Sequence, residues 1–359
     1  MTEAVYKRLA EALNARYNLL SVIPSAEFTA LAKELFTPEQ AEIACSMPIK
    51  RVTVEELATM KPGMDVSRLG GELEEMAVRG LVHVIESNDK KEYELLPFFP
   101  GMYELQFLKG QSDEHTKRLF ELALTYFKAL QNISFQTGSV VKPEVEAIST
   151  GVPDSGATRV IPVDKTFDAL TRIFTYDDMM AFIDTEKYIA AGTCACRHGG
   201  ELLGKPCDKP KDNMCMIFGE PAKAAASYGF VRLLSKDEAR HIVEQAEEAG
   251  LVHQYTDNKG KGVEYVCNCC GCHCLALKPI IRSSLPGQMI TSDWITRIED
   301  DACSGCGVCI DRCWTGALKM EGDIAVVDAI RCIGCGLCKY VCPADAIKMA
   351  RRDVTAVQS

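Results

Sequence analysis

Apolar positions recur at helical spacing through most of the first eighty residues, and the pattern then changes to short alternation. The spacing predicts helices near 3–16, 26–36, 38–47, 53–60 and 67–79. Capping boxes mark three helix starts: Thr37-Pro-Glu-Gln40, Thr53-Val-Glu-Glu56 and, much later, Ser235-Lys-Asp-Glu238. Strands at 81–86 and 91–96 flank the turn Ser87-Asn-Asp-Lys90 and predict a β-hairpin. A further helical stretch at 103–135 carries Leu105, Leu119, Phe120, Leu122, Leu124, Phe127 and Leu130. The Gly-, Ser- and Pro-rich segment 136–157 reads as a connection. Beyond it come a β-like piece at 158–162, helices near 166–186 and 221–229, and a capped helix at 236–249 that ends at Gly250.

The expected fold class is α+β in four parts. A helical module with a hairpin spans 1–100, a helical linker 101–157, a cysteine-rich metal- or cluster-binding domain 158–290, and a two-cluster ferredoxin domain 291–359. Helix, turn, helix and hairpin in that order resemble a winged helix, the layout of many DNA readers. The would-be recognition helix, however, carries Glu72, Glu74 and Glu75 against Arg68 and Arg79 only. Phosphate binding needs the opposite balance, so a docking or oligomerisation module is the better reading and DNA the poorer one.

Composition narrows the class. The chain has 359 residues with 47% hydrophobic and 25% charged positions, ordinary for a water-soluble globular protein. No apolar run approaches the roughly 18 residues of a transmembrane segment, and the N-terminus has no apolar signal core. A net charge of −10 disfavours non-specific nucleic-acid binding and suits docking on basic patches of a redox protein partner. Eighteen cysteines in such a chain point to metal ligation in a reducing cytoplasm, not to disulfides. Cys45 stands alone on a predicted helix and reads as a small buried hydrophobe.

The cysteines carry the chemistry. Cys303, Cys306, Cys309 and Cys313, then Cys332, Cys335, Cys338 and Cys342 followed by Pro343, both read C-x2-C-x2-C-x3-C. That run holds 4Fe-4S clusters in bacterial ferredoxins, and residues 303–342 resemble a two-cluster ferredoxin of this type. In that arrangement the fourth cysteine crosses over. The resemblance therefore implies one cluster on Cys303, Cys306, Cys309 and Cys342, and another on Cys332, Cys335, Cys338 and Cys313. Gly305, Gly307, Gly334 and Gly336 sit inside the tight turns, where positive φ or close backbone approach is expected. Trp314 stands where the repeat would have proline, a departure expected to alter the turn and the exposure of its cluster.

Nine more cysteines form two clumps. One is Cys194-Ala-Cys196-Arg197-His198 with Cys207 and Cys215; the other is Cys267, Cys269, Cys270, Cys272 and Cys274, with His273 among them. Thiolate-rich sets favour iron–sulfur clusters, zinc or Cu(I). The four cysteines of the first clump make one candidate 4Fe-4S site and the second clump another. Alternatively both fold around a single site, or either place takes structural Zn. Adjacent Cys269 and Cys270 point in different directions on an extended chain and can serve different sites. Arg197 is a candidate for neutralising cluster charge or a solvated surface residue. His198 and His273 read as second-shell or surface side chains more readily than as ligands.

A CxCR…C…C element and a CNCC element ahead of a two-cluster tail, over about 170–350, resemble multi-cluster ferredoxin-like proteins of anaerobic bacteria. The resemblance implies electron transfer in anaerobic metabolism, and an electron-transfer subunit or partner of an oxidoreductase is the better reading than a catalyst on its own. There is no G-x-G-x-x-G after a strand and no Walker A loop. Two alternatives remain open: an iron–sulfur redox-sensing transcriptional regulator, and an enzyme with an open-coordination cluster in the middle domain.

Overall fold

The computed structural model describes residues 2–16, 21–61, 63–87, 90–137, 171–257, 263–290 and 292–352. The strand-like piece expected at 158–162 and nearly all of the 136–157 connection lie outside them. Helices and strands are mixed, and the chain divides into two compact units. Among the described residues no helix is long and apolar enough to cross a membrane.

The first unit comprises the described residues of 1–167 together with Ala224–Phe230. Its helices Thr2–Asn14, Ala26–Leu35, Pro38–Ser46, Val54–Met60 and Val66–Val78 precede an antiparallel hairpin of β1 (Val82–Ser87) and β2 (Lys90–Leu95). Thr37 and Thr53 close reciprocal capping boxes with Gln40 and Glu56, satisfying amides that would otherwise be orphaned at the helix starts. Phe28, Phe98, Tyr103, Tyr126 and Phe127 form an aromatic core in which edge-to-face contacts recur. The acidic helix is tied into this unit. Glu74 accepts from Lys91 at 2.8 Å, from Tyr228 at 3.2 Å and from Tyr93. Arg68 pairs with Glu39 at 2.6 Å, and Arg79 donates to Gln40 and to the Glu34 carbonyl. Both arginines that a phosphate backbone would need are thus already engaged within the fold.

The second unit is built on a six-stranded antiparallel sheet in the order β3-β7-β8-β5-β4-β6. The strands are β3 (Thr171–Phe174), β4 (Ile189–Gly192), β5 (Cys215–Phe218), β6 (Arg232–Leu234), β7 (Val252–Asp257) and β8 (Val263–Cys269). The helix expected from 166 therefore starts later. Residues 171–174 pair with β7, Phe174 stacks on Tyr255 at 4.0 Å, and Thr175 then caps the helix Tyr176–Thr185 through Asp178. The helix Lys236–Ala249 stops at Gly250, whose φ of 77° gives the left-handed turn that closes it. The two helices cover one core, with Met179, Ile183, Val243 and Ala246 against Met216 and Phe218. A second core joins Ile173, Val252, Cys269 and Leu277 to Ile333 and Leu337 of the C-terminal segment.

That segment repeats one device twice: a cysteine loop, a helix of one turn (Val308–Asp311, then Leu337–Tyr340), and a strand. β9 (Trp294–Ile298) pairs with β12 (Ile347–Arg351), and β10 (Leu318–Glu321) with β11 (Ile324–Val327). Trp314 does not alter the turn, which takes the same course after both short helices. It serves instead as an anchor. Its Nε1 donates to the Gly250 carbonyl at 2.7 Å, and its ring lies so close to Gly271 that a Cβ there would stand 2.3 Å from Cε3. Arg312 adds hydrogen bonds to the carbonyls of Glu247 and Glu248.

Gly271→Ala should therefore push Trp314 off the sheet and cost about 1–3 kcal/mol by overpacking. The expected readout is a lower urea midpoint for tryptophan fluorescence. Gly71→Ala, whose Cβ would meet nothing within 4 Å, is the control and should not lower it.

Candidate metal centres

The C-terminal loops bring Cys342 to Cys303, Cys306 and Cys309, and these four line one cavity with Ile298, Ala325, Ala346 and Ile347. In the other half Cys335 lies within electrostatic reach of Cys338, Cys313 and Cys332. The fourth cysteine of each run thus faces the three of the other run. Gly305 and Gly334 hold φ near +69° and +68°, and a Cβ on either would fall 2.4 Å or 2.1 Å from the Asp323 or Trp294 carbonyl oxygen. No larger residue fits these turns.

Hydrogen-bond donors point at the sulfurs. The Ala317 amide donates to Cys313 Sγ at 3.3 Å, with the Thr315 hydroxyl beside it at 3.4 Å. The Thr296 hydroxyl lies 3.3 Å from Cys338 Sγ and 3.7 Å from Cys332 Sγ. Neither threonine stood out in the sequence, because nothing in their spacing separates them from ordinary strand and turn residues. Burial raises the Cys335 thiol well above its ordinary value, aided by Cys338 and Cys313. Burial likewise pushes Cys338 up to about 12, against the hydroxyl of Thr296. Cys306 is exposed, and the Val308 amide and Ser304 lower its thiol. Paired thiol quartets, glycine turns, amide donors and an apolar lining all fit 4Fe-4S clusters.

The nine middle cysteines regroup across their sequence clumps. Cys207 leaves Cys194, Cys196 and Cys215, and Cys270 and Cys272 leave Cys267, Cys269 and Cys274. The remaining six thiols form a row in which Cys194 touches Cys196, Cys196 touches Cys274, Cys274 touches Cys269 at 3.3 Å, Cys269 touches Cys267, and Cys267 touches Cys215. Strand pairing creates the last contact, since Cys215 and Cys267 are register partners of β5 and β8. Amides of Leu275 and Leu277 donate to Cys196 and Cys274. Mutual hydrogen bonds lower the Cys267 and Cys274 thiols and raise those of Cys196 and Cys269. Six thiolates in so tight a row need compensating positive charge to ionise together.

Arg197 is 1% exposed, so it is no surface residue. Burial works against its charge, but Cys194, Cys270 and Cys269 outweigh that and raise its pKa. Nη1 donates to the Asn268 carbonyl at 3.0 Å, and the guanidinium also hydrogen-bonds the Cys270 sulfur. His198 is buried with Nδ1 3.7 Å from Glu201 Oε2. Behind Arg197 runs a buried polar chain that no motif announced: Glu247 to His253 at 3.4 Å, and His253 to the Asn268 side chain at 2.6 Å.

Cys207, Cys270, Cys272 and His273 make the second middle group. Their ligand atoms all lie within 4.8 Å of one another, the one such group of His, Cys or carboxylate ligands among the described residues. Cys207 Sγ is 3.4 Å from Cys272 Sγ and 3.9 Å from Cys270 Sγ. Burial pushes the Cys272 thiol up to about 12 and raises that of Cys207.

A family model described as "4Fe-4S binding domain" matches residues 325–348, the stretch that holds Cys332, Cys335, Cys338 and Cys342. No curated protein and no solved structure matches the chain. This likeness and the cysteine-rich segments together point to an iron–sulfur protein.

Proposed function

We propose that the chain is a multi-cluster electron-transfer protein, with two 4Fe-4S clusters in the C-terminal segment and a third iron–sulfur cluster on the six-thiol row. The observation that carries this reading is the packing of Cys335 in the same apolar core as Cys267, Cys269 and Cys274. Thiols of the middle domain and of the tail share one water-poor interior, as a relay over short distances requires. The opposite end opens outward, since Cys306 is exposed. Bound clusters would supply one-electron exchange.

The residues set direction and potential. Thr296 and the Ala317 amide hydrogen-bond thiolate sulfur and favour the reduced, more negative state of whatever those sulfurs hold. Arg197 places a fixed positive charge beside Cys194 and Cys269 and does the same for the six-thiol row. Six sulfurs exceed the four that one cube takes, so the reading needs no iron lacking cysteine. Exposed Cys306 marks the face for a redox protein partner, an oxidoreductase of anaerobic metabolism or another carrier in the cytoplasm. The winged-helix-like first module serves docking or dimerisation, with Arg68 and Arg79 already paired within it.

Anaerobically purified full-length protein should hold about twelve irons and as many sulfides per chain. Cys196→Ala with Cys274→Ala should remove about four irons and leave the tail signals in electron paramagnetic resonance intact. About eight irons in the unsubstituted protein, or clusters that take up no electron, would sink the proposal. Arg197→Leu should lower the midpoint potential of one signal and leave the other two in place, with Arg197→Lys recovering part of the shift; a shift common to all signals would remove the assigned role.

A further inference from the structure

We propose that Cys207, Cys270, Cys272 and His273 bind a single zinc ion, separate from the iron–sulfur sites and independent of whether those carry electrons. Spacing separates a one-ion site from a cluster site. Four ligands on one tetrahedral zinc, with Zn–S near 2.3 Å, put neighbouring sulfurs about 3.8 Å apart. Thiolates on a cube each point away from a different iron and stand wider. The two sulfur separations from Cys207, 3.4 Å to Cys272 and 3.9 Å to Cys270, bracket the one-ion value. The six-thiol row, though dense, gathers no three donors into so small a space.

The histidine is set up as a ligand. Its Nε2 lies 2.9 Å from the Lys205 carbonyl, an acceptor only, so the ring proton resides on Nε2 and Nδ1 carries the lone pair. Nδ1 is buried and has no hydrogen-bond partner. A metal-bound imidazole is oriented in this way, with its far N–H on a backbone carbonyl. Gly200 makes the seat, because a Cβ there would stand 2.5 Å from His273 Cδ2 and 3.0 Å from the Lys205 carbonyl oxygen. Backbone amides complete the knuckle. The His273 N–H donates to Cys270 Sγ at 3.4 Å, and the Lys209 N–H donates to Cys207.

Three thiolates and a neutral imidazole suit zinc, which has no redox chemistry and accepts mixed sulfur and nitrogen ligands in a closed tetrahedron. The ion would tie the loop between the helix Ala195–Leu202 and β5 to the end of β8. That loop also positions a cluster thiol, since the Lys211 carbonyl accepts from the Cys194 amide at 2.8 Å. The site is structural, and it braces the row of six sulfurs without belonging to it.

The test is elemental analysis and zinc-edge X-ray absorption on full-length protein purified anaerobically and dialysed against chelator. About one zinc per chain is expected, with three sulfurs near 2.3 Å and one nitrogen near 2.0 Å. Cys207→Ser with Cys272→Ser should lose the zinc. His273→Cys should keep it and change the shell to four sulfurs, which shows a folded site even if the double variant is unstable. Wild-type protein with its iron complete and no zinc would overturn the proposal. So would a double variant that keeps zinc, or one that loses about four irons instead. Loss of iron on substituting Cys196 and Cys274, with zinc unchanged, would support the proposal by showing that the two sites are loaded independently.

Discussion

The side-to-side alternation of one strand governs the metal chemistry of the second unit. β8 is held between β7 and β5, so its register is fixed on both edges. Consecutive side chains must therefore leave the sheet on opposite faces. Cys267 and Cys269 go to the face shared with Ile333, Leu337 and Cys335, while Val266 and Cys270 go to the face of the two covering helices. A slip of one residue would exchange these sets and place the wrong sulfurs in each site. The sorting of Cys215, Cys267 and Cys269 into the row of six, and of Cys270 into the compact group of three thiols and His273, follows from this pairing.

Charge sets the second constraint. Every cysteine but Cys45 lies in the second unit, most of them buried or half-buried. Thiolates this close cannot all ionise in an apolar interior without cations, which is why burial pushes Cys272, Cys335 and Cys338 upward. Metal is thus part of the fold's energetics as well as of its chemistry. The protein supplies a fixed cation of its own beside the middle thiols. Arg197 reaches Cys194 and Cys269 of the row and Cys270 of the compact group, and the Asn268 carbonyl holds its guanidinium at the boundary between them.

What could be read from the sequence follows how local each feature is. The capping boxes at Thr37, Thr53 and Ser235 are complete within four residues, and so are the helix starts they mark. The tail loops are local too, so spacing alone brings Cys303, Cys306 and Cys309 together, and the likeness to ferredoxins supplied Cys342. The sheet was hidden because β4 and β5 are four residues long and buried throughout, which leaves no alternation to see. The box at Thr175 was missed because it closes with Asp178 in place of Glu or Gln. The grouping of Cys207 with Cys270 and Cys272 joins residues some 63 apart. Gly200 and Lys205, seen against its ring, make the ligand reading of His273 the better one.

Trp314 shows how a departure from a repeat can carry information. A proline at that position would keep the turn, as Pro343 does in the second half, but could neither donate a hydrogen bond nor cover Gly271. The tryptophan does both, and Arg312 two residues earlier binds the end of the same helix. Both side chains reach Glu247–Gly250, the corner from which Glu247 turns inward to His253 and Asn268. The tail is thereby fastened to the end of the polar chain that leads to Arg197. A shift of the tail against the sheet would disturb Arg197 and, with it, the electrostatics of both middle sites. An irregular residue in the first repeat thus helps to fasten the tail to the cysteine-rich sheet.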